Sequence, residues 1–131
     1  MPRNSVLTSR AAAPKGAYSQ AIRAGGLIFV SGQLPLDESG NLVGLNDINT
    51  QTKAVFRNIE AILEEAGSGL DQVVKTTVFL TNLSDFPGMN AVYSTVFSPP
   101  YPARSTVEIG RLPDGMLLEI ECIALLEREQ Q

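Results

Sequence analysis

Histidine is absent from this 131-residue chain. With it go the Ser-His-Asp and Cys-His catalytic arrangements and the commonest metal ligand. Any catalysis has to run on carboxylates, arginine, tyrosine, hydroxyls, backbone groups and water. Cysteine is nearly absent too, since Cys122 is the only one. It has no intrachain disulfide partner, and its place in the apolar run MLLEIECIALL suits a small hydrophobe. GxGxxG, GxxxxGK[ST] and the nucleophile elbow are all missing, which leaves nucleotide and metal chemistry without support. No cofactor and no metal are expected.

Basic charge is sparse. Ten Lys and Arg against fourteen Asp and Glu give a net charge of -4, and the cations are scattered. A phosphate-backbone binder needs a basic stripe, so nucleic acid is not an expected partner. Long apolar runs are missing as well: LIFV and MLLEIECIALL fall far short of the roughly 20 residues that span a bilayer. The leading MPRNSVLTSRAAAPKG has basic residues but no apolar stretch of the kind a secretory signal carries. The expectation is a cytoplasmic protein that does not bind membranes.

What remains is 44% apolar and 18% charged residues, enough to bury a core without disulfides. The length suits one domain of roughly 100 to 150 residues, here residues 1–131. Tyr18 to Arg23 and Leu27 to Ser31 read as a hairpin around the turn signal AGG, and LPLDESGNLVG adds a second turn. DESGN lacks the ligand spacing of a calcium loop. From Ile48, apolar residues at steps of three and four (Thr52, Val55, Phe56, Ile59, Ile62, Leu63, Ala66) mark one buried helical stripe. Asn46 or Asp47 is placed to cap it, and Gly67 to let the chain leave in a left-handed conformation. VVKTTVFL, residues 73–80, is β-branched enough for a central strand.

Ser84 reads as the N-cap of a second helix, with Pro87 in its first turn and Phe86, Met89, Tyr93, Val96 and Phe97 on its apolar face. SPPYP stops it. Arg104 to Ile109 and Met116 to Leu125 read as the last strands, and the compact GRLPDG between them predicts a hairpin. The result is an α+β fold, a mixed sheet with two helices on one face. Met116, Leu118, Ile120, Cys122 and Ala124 would face those helices. Leu117, Ile123 and Leu125 make the opposite side apolar too, so a second copy of the chain is the simplest cover and an obligate homo-oligomer is expected.

Strand alternation aims Arg104, Thr106 and Glu108 one way, and puts Glu119 and Glu121 together on one face of the last strand. If those faces coincide, Arg104 meets carboxylates. The guanidinium fork is then either an anchor for a small acid in a partly dry cleft or one half of a cross-strand ion pair with Glu119 or Glu121. On spacing alone the ion pair is the reading to prefer, because Arg and Glu on strand surfaces are ordinary. Glu119 and Glu121 also read as solvated strand residues, and Tyr18 as an aromatic at the sheet edge.

The segments PKGAYSQAI, LIFVSGQLPLD, QTKAVFRNIEAILEEAG, VVKTTVFLTNLSDFPGMNAVYSTVF and, above all, YPARSTVEIGRLPDGMLLEIECIA resemble the RidA/YjgF reactive-intermediate deaminases almost end to end. The resemblance implies a chorismate-mutase-like fold and a homotrimer with clefts between subunits. It also implies that Arg104, in the PARS segment, binds a substrate carboxylate. Glu119, first of the EIE stretch, would hold or polarise water, and Tyr18, in GAYSQ, would close the cleft. Ser31, Gly32 and Asn90 would line it. Relatives often carry Cys where this chain has Thr106; the implied water contact uses the backbone carbonyl, which survives the change, whereas thiol modification there does not. The loop FSPPYP is short, which bears on substrate size.

The implied reaction is hydrolysis of 2-imino or enamino acids, such as 2-aminoacrylate, 2-iminopropanoate or 2-iminobutanoate, to 2-oxo acids and ammonia. Arg104, Glu119 and Thr106 would be the working residues. Three other readings compete: a small-carboxylate-binding or holdase-like protein without turnover, a related deaminase of aminomuconate or aminoacrylate intermediates, and a ribonuclease. The acidic balance and missing histidine speak against the last.

Overall fold

The structure, a computed structural model, describes residues 2–126. Strands β1 (Asn4–Val6), β2 (Ala21–Ala24) and β3 (Leu27–Gln33) precede helix α1 (Ile48–Glu65). Strand β4 (Val73–Leu80), helix α2 (Phe86–Val96), and strands β5 (Ala103–Glu108) and β6 (Leu118–Leu125) complete the fold. The six strands form one sheet in the order β1-β2-β3-β6-β4-β5, parallel only between β4 and β5. The α+β architecture expected from the sequence is present. Two details are new: β1, a three-residue edge strand, and the neighbours of β6.

β5 and β6 do not form a hairpin. β5 pairs in parallel with β4, because the chain between them is helix α2, long enough to return to the starting end of the sheet. β6 lies between β3 and β4, antiparallel to both. The 109–117 loop therefore carries the chain past β4 instead of simply reversing it.

Helix α1 forms as its periodicity predicts. Asp47 is the N-cap, its carboxylate accepting from the Thr50 amide at 3.2 Å and the Thr50 hydroxyl at 2.8 Å. These bonds hold the Asp47 carboxyl below its ordinary range. Asn46, the other candidate cap, sits in the left-handed region instead. At the far end Gly67 has φ +90°, a conformation that glycine adopts without the strain a Cβ would bring. The second helix is entered differently from the expectation. Ser84 lies inside a 3₁₀ turn, Leu83–Asp85, whose cap is the Asn82 side chain, and Asp85 precedes α2 without a side-chain cap. Glu108 holds this turn from the sheet, accepting from the Leu83 amide at 2.8 Å.

Both helices pack on one sheet face. Val55, Ile59, Ile62 and Leu63 of α1 and Met89 and Tyr93 of α2 meet Ile28, Val78, Leu80, Leu118, Ile120 and Ala124 in a core that excludes water. Each fully buried Ile or Leu contributes roughly 1.5–3 kcal/mol. Among the described residues, nothing covers the other face, where Phe29, Val107 and Leu125 are each 42% exposed.

Candidate functional site

Arg104 is carried by β5 on the helix side of the sheet. Its backbone is level with Thr76 of β4, which is level with Cys122 of β6, and directly opposed residues share a face. Phe86, Asn90 and Tyr93 recur along α2 at spacings of four and three, a single helical stripe, and that stripe meets the guanidinium. Its central carbon lies 4.6 Å from the centre of the Tyr93 ring and 5.2 Å from that of Phe86. Nη1 donates to Asn90 Oδ1 at 2.7 Å. Among the described residues no carboxylate comes within ion-pair distance of Arg104.

The seat itself is rigid. Tyr93 is 4% exposed, its ring packs edge-on against Phe56 and at a tilt against Phe97, and its hydroxyl shares a 2.8 Å hydrogen bond with the fully buried Thr76. Burial raises the Tyr93 pKa against the opposing pull of Thr76 and Arg104, so the phenol stays neutral. In front of the guanidinium, Asn90, Tyr93, Ser94, Tyr101 and Pro102 enclose a cleft of about 410 Å³. Thr106 lies on the same face two residues further along β5, level with Val78 and half-buried.

Glu119 belongs to a different place. It is level with Phe79 and Val107, an odd number of residues from the Thr76–Arg104 rung, so it projects from the opposite face of the sheet. Glu121, level with Thr77, does the same. The expected meeting of Arg104 with these carboxylates within one chain therefore does not occur, and neither does the cross-strand ion pair.

The Glu119 carboxylate lies against the backbone of Gly32, where a Cβ would collide with its side chain. Gly32 sits in a β-bulge between Val30 and Gln33 of β3, which brings that backbone close. Burial, and secondarily the charge of Glu121, raise the Glu119 pKa. Ser31, in the same bulge, donates from its hydroxyl to the Ser19 carbonyl at 2.6 Å and from its amide to the Gln20 carbonyl at 2.9 Å. These bonds tie the bulge to the segment that carries Tyr18. The Tyr18 ring is half-exposed, its hydroxyl accepts from the Lys15 amide at 3.3 Å, and it borders a 240 Å³ pocket together with Gly32.

The predicted residues thus fall into two groups. Arg104, Asn90 and Thr106 stand on the helix side; Tyr18, Ser31, Gly32 and Glu119 gather around the bulge. In the sequence Phe86 and Tyr93 look only like the apolar face of a helix, and Thr76 like part of a strand; the helical spacing around Asn90 is visible there, but nothing local says that a cation lies on that stripe. Cys122 is buried and its thiol is pushed up to about 12, mainly by burial, which leaves it inert at neutral pH. Among the described residues no group of His, Cys, Asp and Glu could hold a metal, and no helix is long and apolar enough to cross a membrane.

Residues 8–126 match the model of the family described as Endoribonuclease L-PSP. A RutC family protein of Pyrococcus abyssi is 52% identical over 97% of this chain and 100% of its own length. A chloroplastic Reactive Intermediate Deaminase A of Arabidopsis thaliana is 44% identical over 92% of this chain and 65% of its own. Among solved structures, E. coli TdcF with bound serine has a TM-score of 0.86 at 36% identity, covering 93% of this chain and 98% of that one. Sequence and fold agree across nearly the whole of the described chain, and the chain belongs to the Endoribonuclease L-PSP family, that is, to the RidA/YjgF proteins.

Proposed function

We propose that this chain is a deaminase that hydrolyses reactive 2-imino and enamino acids, of the 2-aminoacrylate, 2-iminopropanoate and 2-iminobutanoate type, to 2-oxo acids and ammonia. The observation that carries the reading is Arg104. It is a cation with no carboxylate partner among the described residues, held between two aromatic rings and one amide oxygen and facing a cleft. Such a guanidinium matches a small carboxylate with two parallel hydrogen bonds. The names of relatives agree with it: one is a Reactive Intermediate Deaminase A, and one was crystallised with serine, a small amino acid.

An enamino acid first becomes the imine by taking a proton at C3 and losing one from nitrogen. Water adds its oxygen to C2 as the C=N π bond breaks, and one proton of the water passes to nitrogen. The hydroxyl proton of the resulting carbinolamine then passes to the same nitrogen as C=O forms and the C–N bond breaks, so that ammonia leaves a 2-oxo acid behind. Arg104 fixes the carboxylate, and the Thr106 carbonyl and Glu119 orient the water. Burial raises the Glu119 pKa above the ordinary carboxylate range, which makes it a stronger proton acceptor than an exposed glutamate. Asn90 lines the Arg104 half of the cleft; Ser31 and Gly32 line the Glu119 half, and Tyr18 closes it. No cofactor is needed, since imines already hydrolyse in water and positioning suffices.

The two groups lie on opposite faces of one sheet, so they share a cleft only if each comes from a different copy of the chain. This favours a homo-oligomer, which we take to be a trimer, with the uncovered sheet face buried at the contact. The partner is then a small imino or enamino acid in the cytoplasm, with neither nucleic acid nor membrane involved.

The test couples an amino-acid dehydratase or oxidase to the protein and follows loss of the imine against semicarbazide trapping. The wild type should accelerate that loss, and Arg104→Ala should lower the rate constant by about 100-fold, the loss of two charge-assisted hydrogen bonds. No acceleration over buffer with any of several amino acids would overturn the reading. Wild-type binding of 2-oxo acids without turnover would leave a carboxylate-binding protein in its place.

A further inference from the structure

We infer that Tyr93 is a positioning residue for Arg104: its ring is a platform that fixes the plane of the guanidinium, so that one edge is spent on Asn90 and the other is turned to the ligand carboxylate. This inference rests on the carboxylate-anchor reading of Arg104 given above, and it adds a residue that never touches the ligand's reacting atoms.

A free arginine side chain samples many rotamers, and ordering it is a cost that any ligand must meet. Here that cost is met before binding. The guanidinium carbon stands 4.6 Å from the Tyr93 ring centre, a cation–π distance, and Phe86 approaches at 5.2 Å. Nη1 is engaged by Asn90 at 2.7 Å. A planar group held against a ring and hydrogen-bonded at one corner has fewer orientations open to it than a free side chain has.

The platform is immobile for reasons that lie deeper in the fold. Tyr93 is almost wholly buried, Phe56 of α1 meets its ring at 5.8 Å and 71°, and Phe97 at 4.9 Å. Its hydroxyl is fastened to Thr76, the β4 residue level with Arg104 itself. Platform and cation are thus referenced to the same rung of the sheet. A lone aromatic on a mobile loop would attract the cation equally well but would not fix its direction.

The measurement is the dissociation constant of 2-oxobutanoate, read by calorimetry on the full-length wild type, Tyr93→Met, Tyr93→Phe and Arg104→Ala. Irreversibly misfolded protein lowers the calorimetric amplitude and leaves the constant unchanged, whereas reversible unfolding weakens the apparent affinity, so each variant is first shown to be fully folded at the titration temperature. Tyr93→Met fills the volume without a ring and should weaken binding by about tenfold, the scale of a partly desolvated cation–π contact. Tyr93→Phe keeps the ring face and should rescue binding to within about twofold.

In turnover, Tyr93→Met should raise KM with kcat little changed, because a carboxylate contact is shared by ground and transition states. A Tyr93→Met protein with wild-type affinity, alongside an Arg104→Ala protein that has lost binding, would overturn the platform while leaving the anchor intact. Wild-type affinity in Arg104→Ala would instead remove the anchor itself. Should Tyr93→Met not fold, the wild type supplies a reading of its own: ring currents should shift the Arg104 δ-methylene protons upfield in NMR spectra, and random-coil shifts would overturn the platform.

Discussion

The two faces of the sheet are made from the same strands yet behave as different materials. On the helix side, alternate residues of β6 (Leu118, Ile120, Cys122 and Ala124) are no more than 4% exposed and packed into the core, and Arg104 is held at its margin by side chains from α2. On the other side, the intervening residues (Glu119, Glu121, Ile123 and Leu125) mix charge with apolar surface, and nothing in the described chain covers them. A core face is specified by volume, because a missing methylene leaves a void. An uncovered face is specified by what will later sit on it. A single strand can satisfy both demands because its side chains alternate, and β6 does so at every step.

Deleting volume should show the difference most strongly. Ile120→Ala, on the helix side, should lower unfolding free energy by about 2–5 kcal/mol in urea denaturation. Ile123→Lys, three residues away on the open side, should act on association, moving the sedimentation coefficient toward that of a single chain. If Ile123→Lys leaves the coefficient unchanged, the asymmetry between the faces is not one of assembly.

The bulge supplies a sharper probe. Gly32→Ala places a methyl group where the Glu119 side chain lies, so that carboxylate has to move. We expect imine turnover to fall by about tenfold, since misplacing a catalytic group by as little as an ångström costs this much or more. Thermal unfolding should change little, because Gly32 lies outside the core. Full activity in Gly32→Ala would separate Glu119 from the reaction.

The smallest effect is one of pH. Burial raises the Glu119 pKa, so the folded protein binds that proton more tightly than the unfolded chain does. The stability so gained is complete below the ordinary glutamate pKa and is lost as pH rises through the folded one. Glu119→Gln, which cannot ionise, should therefore raise the thermal midpoint at neutral pH and lose that advantage in acid below about pH 4. An advantage that persists in acid would mean that charge burial is not its source.

Much of this fold is legible in the residues themselves, and the reasons for the exceptions are physical. Helix α1 announces itself through a repeat that only a helix satisfies, and the range read for β4 agrees with the structure, since VVKTTVFL is bounded by clear breaks. β1 carries no such signal: three residues at a sheet edge are too few to show alternation. The hairpin predicted for β5 and β6 fails because pairing partners are not a local property. A short connection suggests neighbours, yet β4 occupies the place between them.

The placement of Glu119 beside Arg104 fails for a related reason. Alternation tells which residues of a strand share a side, but the phase between strands comes only from register, here Thr76 with both Arg104 and Cys122. The residues named through family resemblance do gather into two coherent groups. What resemblance alone does not convey is the platform beneath Arg104, whose members look like ordinary core.

The bulge in β3 can also be understood as arithmetic. From Val30 to Gln33 the strand advances three residues while its partner advances two, from Cys122 to Ile120. Without that surplus residue the ladder would be regular and every position would be claimed by one side or the other. With it, Val30 and Gln33 both turn inward although three residues apart, and the remainder is a stretch of main chain bare enough for a carboxylate to rest on. Shortening this strand by one residue would therefore yield a more orderly sheet and take away the seat of the Glu119 carboxylate: the irregularity is where the backbone stops being scaffold and becomes surface.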